Sequence, residues 1–151
     1  MDTTVSYFTR VLSNSTSDDL DSFVITGDID AMWLRDSANQ LMPYIPYANQ
    51  DYHLQSLIEG LINRHAKSIL IDSFANSFNY DNSTYGGDHQ NDKRIPPMTP
   101  AVFEGKYEID SLCAFLKLSF WQYKLVGDRS LIRFSSTSSW IDAVSRLVDT
   151  S

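Results

Sequence analysis

The 151 residues are enough for one core of ordinary size, and 42% hydrophobic with 13% aromatic content is a globular rather than a disordered composition. Twelve basic against nineteen acidic side chains leave a formal charge of −7, which argues against a nucleic-acid surface. No apolar run approaches the roughly 20 residues of a membrane span, and the first residues lack the basic and apolar regions of a signal peptide.

Asp2 to Leu12 reads as a short helix with Val5, Phe8 and Leu12 on one face. Ser13 to Ser22 is a polar break. Phe23-Val24-Ile25 is short and β-prone, and Thr26-Gly27-Asp28 is a tight turn in which Gly27 is free to take φ > 0. A helix is expected from Trp33 to about Pro43, because Pro43 and Pro46 limit its end. Asp51 to Leu70 is the clearest helix, with Leu54, Leu57, Leu61 and Ile62 on one stripe and Asn49 or Asp51 as its cap. His65 lies at the edge of that stripe and reads as a packing residue.

Ile71 to Phe103 is poor in period and rich in Gly and Pro, as a long loop would be. Asp88, His89 and Asp92 fall in it without a metal-ligand spacing. Tyr107 to Val126 is a second strong helix. Its stripe is read as Ile109, Leu112, Cys113, Leu116, Phe120 and Tyr123, widened by Phe115 and Leu118, with Gly127 as the C′ residue. The lone cysteine, Cys113, is expected to be a buried thiol. Leu131 to Phe134 starts another helical stretch. Trp140, Ile141, Val144, Leu147 and Val148 mark a last amphipathic helix. Two glycosylation sequons, Asn14-Ser15-Thr16 and Asn82-Ser83-Thr84, hint at the secretory pathway.

The chemistry concentrates after the Gly27 turn. Asp28, Asp30, Trp33, Arg35 and Asp36 fall within nine residues at a helix entrance. Such a set suits a polyol: carboxylates accept from vicinal hydroxyls, a guanidinium donates to two, and an indole face covers the C–H side. The same residues would also suit an Asp–Arg pair that ties a loop to a helix. A second cluster, Glu104, Lys106, Glu108 and Asp110, stands at the entrance of the helix from Tyr107, where acids also complement the helix dipole.

Three ordered segments carry a resemblance: TGDIDAMWLRDSANQLMPY from Thr26, ILIDSFANSFN from Ile69, and FEGKYEIDSLC from Phe103. Together they resemble glycoside hydrolase family 125, the exo-α-1,6-mannosidases, over about Phe23 to Gly127. The resemblance implies an all-α fold, an (α/α)6 barrel of six hairpins. Twelve helices of about 12 residues with connections of about 5 need roughly 200 residues at the least. The chain is therefore expected to hold four to five helices and to be the N-terminal part of a single glycoside hydrolase catalytic domain.

The activity implied is removal of terminal non-reducing α-1,6-linked mannose from oligosaccharides or N-glycans by an inverting acid/base mechanism. The resemblance puts the catalytic acid and base downstream of Ser151. It implies sugar-binding roles for Asp28, Arg35 and Asp36, while Trp33 either stacks on a sugar or, the preferred reading, braces the loop; Asn76, Glu108 and Asp110 also face the pocket, with Asn79 as a further candidate. No cofactor or metal is expected, since His53, His65, His89 and Cys113 are scattered. Two rivals stand beside this reading. One is another six-hairpin glycosidase; the other is a catalytically incomplete carbohydrate-binding or structural fragment.

Overall fold

The computed structural model describes residues 9–10, 20–81, 92–127 and 137–151. Both sequons, Asp88, His89 and Leu131 to Phe134 lie outside the described residues, as does most of the stretch from Asp2 to Leu12. The two residues of that stretch that are described are not helical. Thr9–Arg10 is a strand, β1, paired antiparallel to β2, Phe23–Val24.

The described chain is mainly helical, with four α-helices among the described residues. The first, α1, spans Leu34–Leu41 and continues as a 3-10 turn over Met42–Tyr47, which accommodates Pro43 and Pro46. Helix α2 spans Tyr52–Ile71. Its cap is Asp51, whose Oδ1 accepts from the amides of His53 at 2.9 Å and Leu54 at 3.2 Å. Helix α3 spans Ile109–Val126 and stops at Gly127, where φ is 102°. Helix α4 spans Thr137–Thr150. Helix α2 packs along α4 and touches α3, while α1 lies against α3. Ile58, Leu61, Ile62 and Ile69 of α2 meet Leu112, Phe115 and Leu118 of α3 and Ala143 and Leu147 of α4 in one core.

Two expectations about α3 are corrected. The side that packs within this chain carries Ser111, Leu112, Phe115, Leu118, Ser119 and Gln122. Ile109, Phe120 and Tyr123 are exposed, and so is Cys113. The helix is apolar on two sides, so periodicity alone does not choose which one the neighbouring helices cover.

The expected loop from Ile71 to Phe103 is not featureless. It contains β4, Ser77–Phe78, the central strand of a small antiparallel sheet. On one side β4 pairs with β3, Met32–Trp33, through Met32↔Phe78 and Trp33↔Ser77. On the other it pairs with β5, Val102–Glu104, through Phe78↔Val102 and Ser77↔Glu104. Two-residue strands are too short to show a period of two. This sheet is what joins the three sequence segments: one strand comes from each.

Candidate active site

Each strand of the sheet delivers side chains to one cleft. Backbone bonds lock the three together: the Leu34 amide donates to the Asn76 carbonyl at 3.1 Å, and the Asn76 amide to the Glu104 carbonyl at 3.2 Å. The first of these also supplies a partner to an amide in the opening turn of α1, where the helix itself offers none. The cleft has a volume of about 410 Å³. Thr26, Gly27, Asp28 and Ile29 come from the turn, Trp33, Arg35 and Asp36 from the entrance of α1, Asn76 from the β4 approach, and Glu104, Lys106 and Glu108 from the run into α3.

Four carboxylates and two cations thus line one cleft beside an indole. Arg35 is the hub of the rim. Its Nη1 donates to Asp110 Oδ2 at 2.7 Å and lies 3.5 Å from Glu108 Oε2, while Nη2 lies 3.8 Å from Asp36 Oδ2. The bond to Asp110 raises the guanidinium pKa above its ordinary value. The same bond holds the Asp110 carboxyl below its ordinary range. Glu108 is also tied down, accepting from Ser111 Oγ at 2.8 Å.

Glu104 is a second hub. Its Oε2 accepts from Trp33 Nε1 at 3.1 Å and from Asn76 Nδ2 at 2.7 Å, and its Oε1 accepts from Lys106 Nζ. Partial burial pushes the Glu104 pKa upward, but hydrogen bonds from Lys106, Asn76 and Trp33 outweigh it and hold the carboxyl below its ordinary value. The Trp33 ring also packs edge-on against Phe103, with centroids 5.3 Å apart. The indole is therefore fixed at both its N–H and its ring.

Of the residues singled out in the sequence, Asp28, Trp33, Arg35, Asp36, Asn76 and Glu108 line the cleft together. Asp110 is not among the lining residues and instead holds Arg35 from outside. Asn79 is buried, and its Nδ2 donates to the Pro100 carbonyl at 2.8 Å, which pins the approach to β5. Asp30 is exposed and does not line the cleft. Sequence reasoning placed Glu104 and Lys106 in the acidic cluster but gave them no role. The hint was an acid and a base two residues apart around Gly105, next to the Pro-rich run. Asp92, read as a loop residue, accepts from the Gly105 amide at 3.1 Å. Among the described residues no group of three or more His, Cys, Asp or Glu side chains is arranged to hold a metal ion.

Known proteins resemble this chain throughout its length. A family model described as metal-independent alpha-mannosidase (GH125) matches residues 1–151. The Meiotically up-regulated gene 157 protein of Schizosaccharomyces pombe (strain 972 / ATCC 24843) is 43% identical over 131 residues, which is 84% of this chain and 25% of that protein. The structure of a metal-independent alpha-mannosidase from Streptococcus pneumoniae, in a non-productive substrate complex with alpha-1,6-mannobiose, superposes with a TM-score of 0.83 at 34% identity. That match covers 97% of this chain and 32% of the other. The chain therefore spans only a quarter to a third of the length of these relatives. Its mainly helical architecture is that of part of an α/α barrel, and it belongs to glycoside hydrolase family 125, the metal-independent alpha-mannosidases.

Proposed function

We propose that this chain forms part of the sugar-binding pocket of an exo-acting α-1,6-mannosidase that releases terminal non-reducing mannose from oligosaccharides or N-glycans. The observation that carries the reading is the cleft itself, in which the sheet gathers carboxylates, a guanidinium and an indole from all three segments. Asp28 and Asp36 accept hydroxyls of the terminal mannose, and Arg35 donates to its oxygens. Trp33 walls one side, and Asn76 and Glu108 complete the polar lining. The Streptococcus pneumoniae relative in complex with alpha-1,6-mannobiose supports this substrate class.

The reaction proposed is inverting. One carboxylic acid protonates the glycosidic oxygen while a second carboxylate activates water on the opposite face of the ring. A general acid needs a raised pKa. Glu104 and Asp110 are shifted the other way by their partners, so neither suits the role of the acid. The acid and base are assigned to residues outside this chain, which supplies recognition.

Full-length protein incubated with α-1,6-mannobiose tests the proposal. Release of mannose whose first-formed anomer is β, seen by proton NMR, is expected. No release from this disaccharide, or α-mannose as first product, would overturn it.

A further inference from the structure

One buried pair is bonded to the backbone of the cleft residue Trp33. His65 and Ser37 are both fully buried, His65 on α2 and Ser37 on α1. Ser37 Oγ lies 2.8 Å from His65 Nε2, 2.7 Å from the Trp33 carbonyl and 3.2 Å from the Leu34 carbonyl. A hydroxyl has one proton to give. If Ser37 gives it to the Trp33 carbonyl, His65 Nε2–H can donate to the Ser37 oxygen, and both bonds are made. The opposite tautomer would take the Ser37 proton away from Trp33. It would also leave a buried N–H at Nδ1, which has no partner among the described residues. The Nε2–H tautomer is therefore the one that fits. Burial keeps the ring neutral, with its pKa lowered to about 3. Phe115 of α3 packs against the imidazole, with ring centroids 6.5 Å apart.

We infer that His65 is a positioning residue for the cleft: through Ser37 it holds the first turn of α1, and so sets how Trp33, Arg35 and Asp36 leave the helix entrance. The chain of bonds is short. His65 holds Ser37, Ser37 holds the Trp33 backbone, and the Trp33 indole donates to Glu104. Trp33 shows no side-chain cap of its own at this helix start, so the start is held by Ser37 on the Trp33 carbonyl, by the Asn76 carbonyl on the Leu34 amide and by the β3–β4 pairing. The inference rests on the mannosidase reading for its kinetic consequence, but not for its structural one.

The test uses full-length protein labelled with 5-fluorotryptophan, with the Trp33 fluorine resonance assigned through Trp33→Phe. In His65→Phe the donor is lost, and in Ser37→Ala the link itself. Both are expected to shift the Trp33 resonance and raise KM for an α-mannoside about tenfold, with a smaller change in kcat. His65→Gln keeps an amide N–H in reach of Ser37 and is expected to restore the resonance and most of the KM. Ser37→Ala removes only one oxygen, so it decides the matter if His65→Phe does not fold. An unmoved Trp33 resonance in Ser37→Ala, or a His65→Gln protein as impaired as His65→Phe, would overturn the inference. A wild-type protein that hydrolyses no mannoside would instead sink the mannosidase reading, and the resonance would still decide the role of His65.

Discussion

Arg35 Nη1 lies 2.7 Å from Asp110 Oδ2 across 75 positions of sequence, and this bond ties the entrance of α1 to the first turn of α3. Asp110 does not line the cleft, yet it holds Arg35, the guanidinium that does. Asp110→Asn should leave the melting temperature close to wild type, because exposed ion pairs add little to stability. It should raise KM for an α-mannoside, because Arg35 loses the partner that aims it. A KM equal to wild type would show that Arg35 is oriented without Asp110.

Arg35→Ala and Asp36→Asn should cost far more. On the proposed reading each removes a charged partner from a sugar hydroxyl that the rest of the site cannot satisfy, which in such sites costs about 10²-fold or more in kcat/KM. Circular dichroism should remain that of the folded protein. Near-wild-type turnover in both variants would end the sugar-binding assignment.

Acidification should destabilise the protein through His65. Its folded pKa is lowered from 6.5 to about 3. Between those values the unfolded chain binds the proton and the folded one does not. Stability from this group is therefore complete above pH 6.5 and falls as pH drops, by about 1.4 kcal/mol per unit at most. Glu104, whose folded pKa is also lowered, adds its own loss only below its ordinary value of 4.5. Calorimetry from pH 7 to pH 4.5 should show a falling melting temperature in wild type and a flatter profile in His65→Gln. Parallel profiles would show that other groups govern the window.

Gly60 of α2 is where the chain before β2 crosses the helix. A Cβ there would stand 2.3 Å from Ser22 Oγ, 3.0 Å from the Ser22 nitrogen and 3.1 Å from the Asp21 carbonyl carbon. Backbone cannot retreat as a side chain can, so Gly60→Ala should destabilise by about 1–3 kcal/mol despite the better helix propensity of Ala. The same approach positions Asp21, whose carboxylate takes both Nε and Nη2 of Arg64 at 2.7 and 2.8 Å. Denaturant titration would settle it, an unchanged midpoint counting against the close approach.

Chelation should leave hydrolysis intact. Of the four carboxylates that line the cleft, Asp36, Glu104 and Glu108 are already engaged with Arg35, Lys106, Trp33 or Asn76, and the family is described as metal-independent. Activity lost with a chelator and restored by calcium or zinc would contradict this.

Residues 1–151 expressed alone should not release mannose and should associate. The outer side of α3 presents Phe120 at 52%, Trp121 at 42% and Leu125 at 40% exposure. Apolar area left in water forfeits roughly 25 cal/mol per Å² and favours contact between copies. Sedimentation and action on α-1,6-mannobiose are the measurements. A monomer that releases mannose would place the acid and base among the residues assigned here to binding.

The helices were legible because each carries a period or a punctuating residue. Leu54, Leu57 and Leu61 mark α2, Asp51 caps it, and Gly127 ends α3. What stayed hidden was what depends on distant partners. Glu104 looks like one more acid at a helix entrance until Trp33 and Asn76 are seen bound to it. Ser77–Phe78 is too short to announce a strand. The two apolar sides of α3 look alike in sequence, so Cys113 was expected inside and lies outside. Periodicity alone assigns Thr9 and Arg10 to a helix, and at these two residues the pairing with Val24 and Phe23 prevails.

The two-residue strand β4 has a consequence for the order in which the molecule assembles. Met32 must wait for Phe78, and Ser77 for Glu104, so the cleft closes two long loops, and α2 lies inside the first. Such pairings repay their entropy only once the intervening chain is already compact. Helix α2, built from local bonds and capped by its own Asp51, can form before either loop closes. The cleft is then a late-forming part of the molecule, and a nascent chain cannot complete its lining until synthesis has passed Glu108.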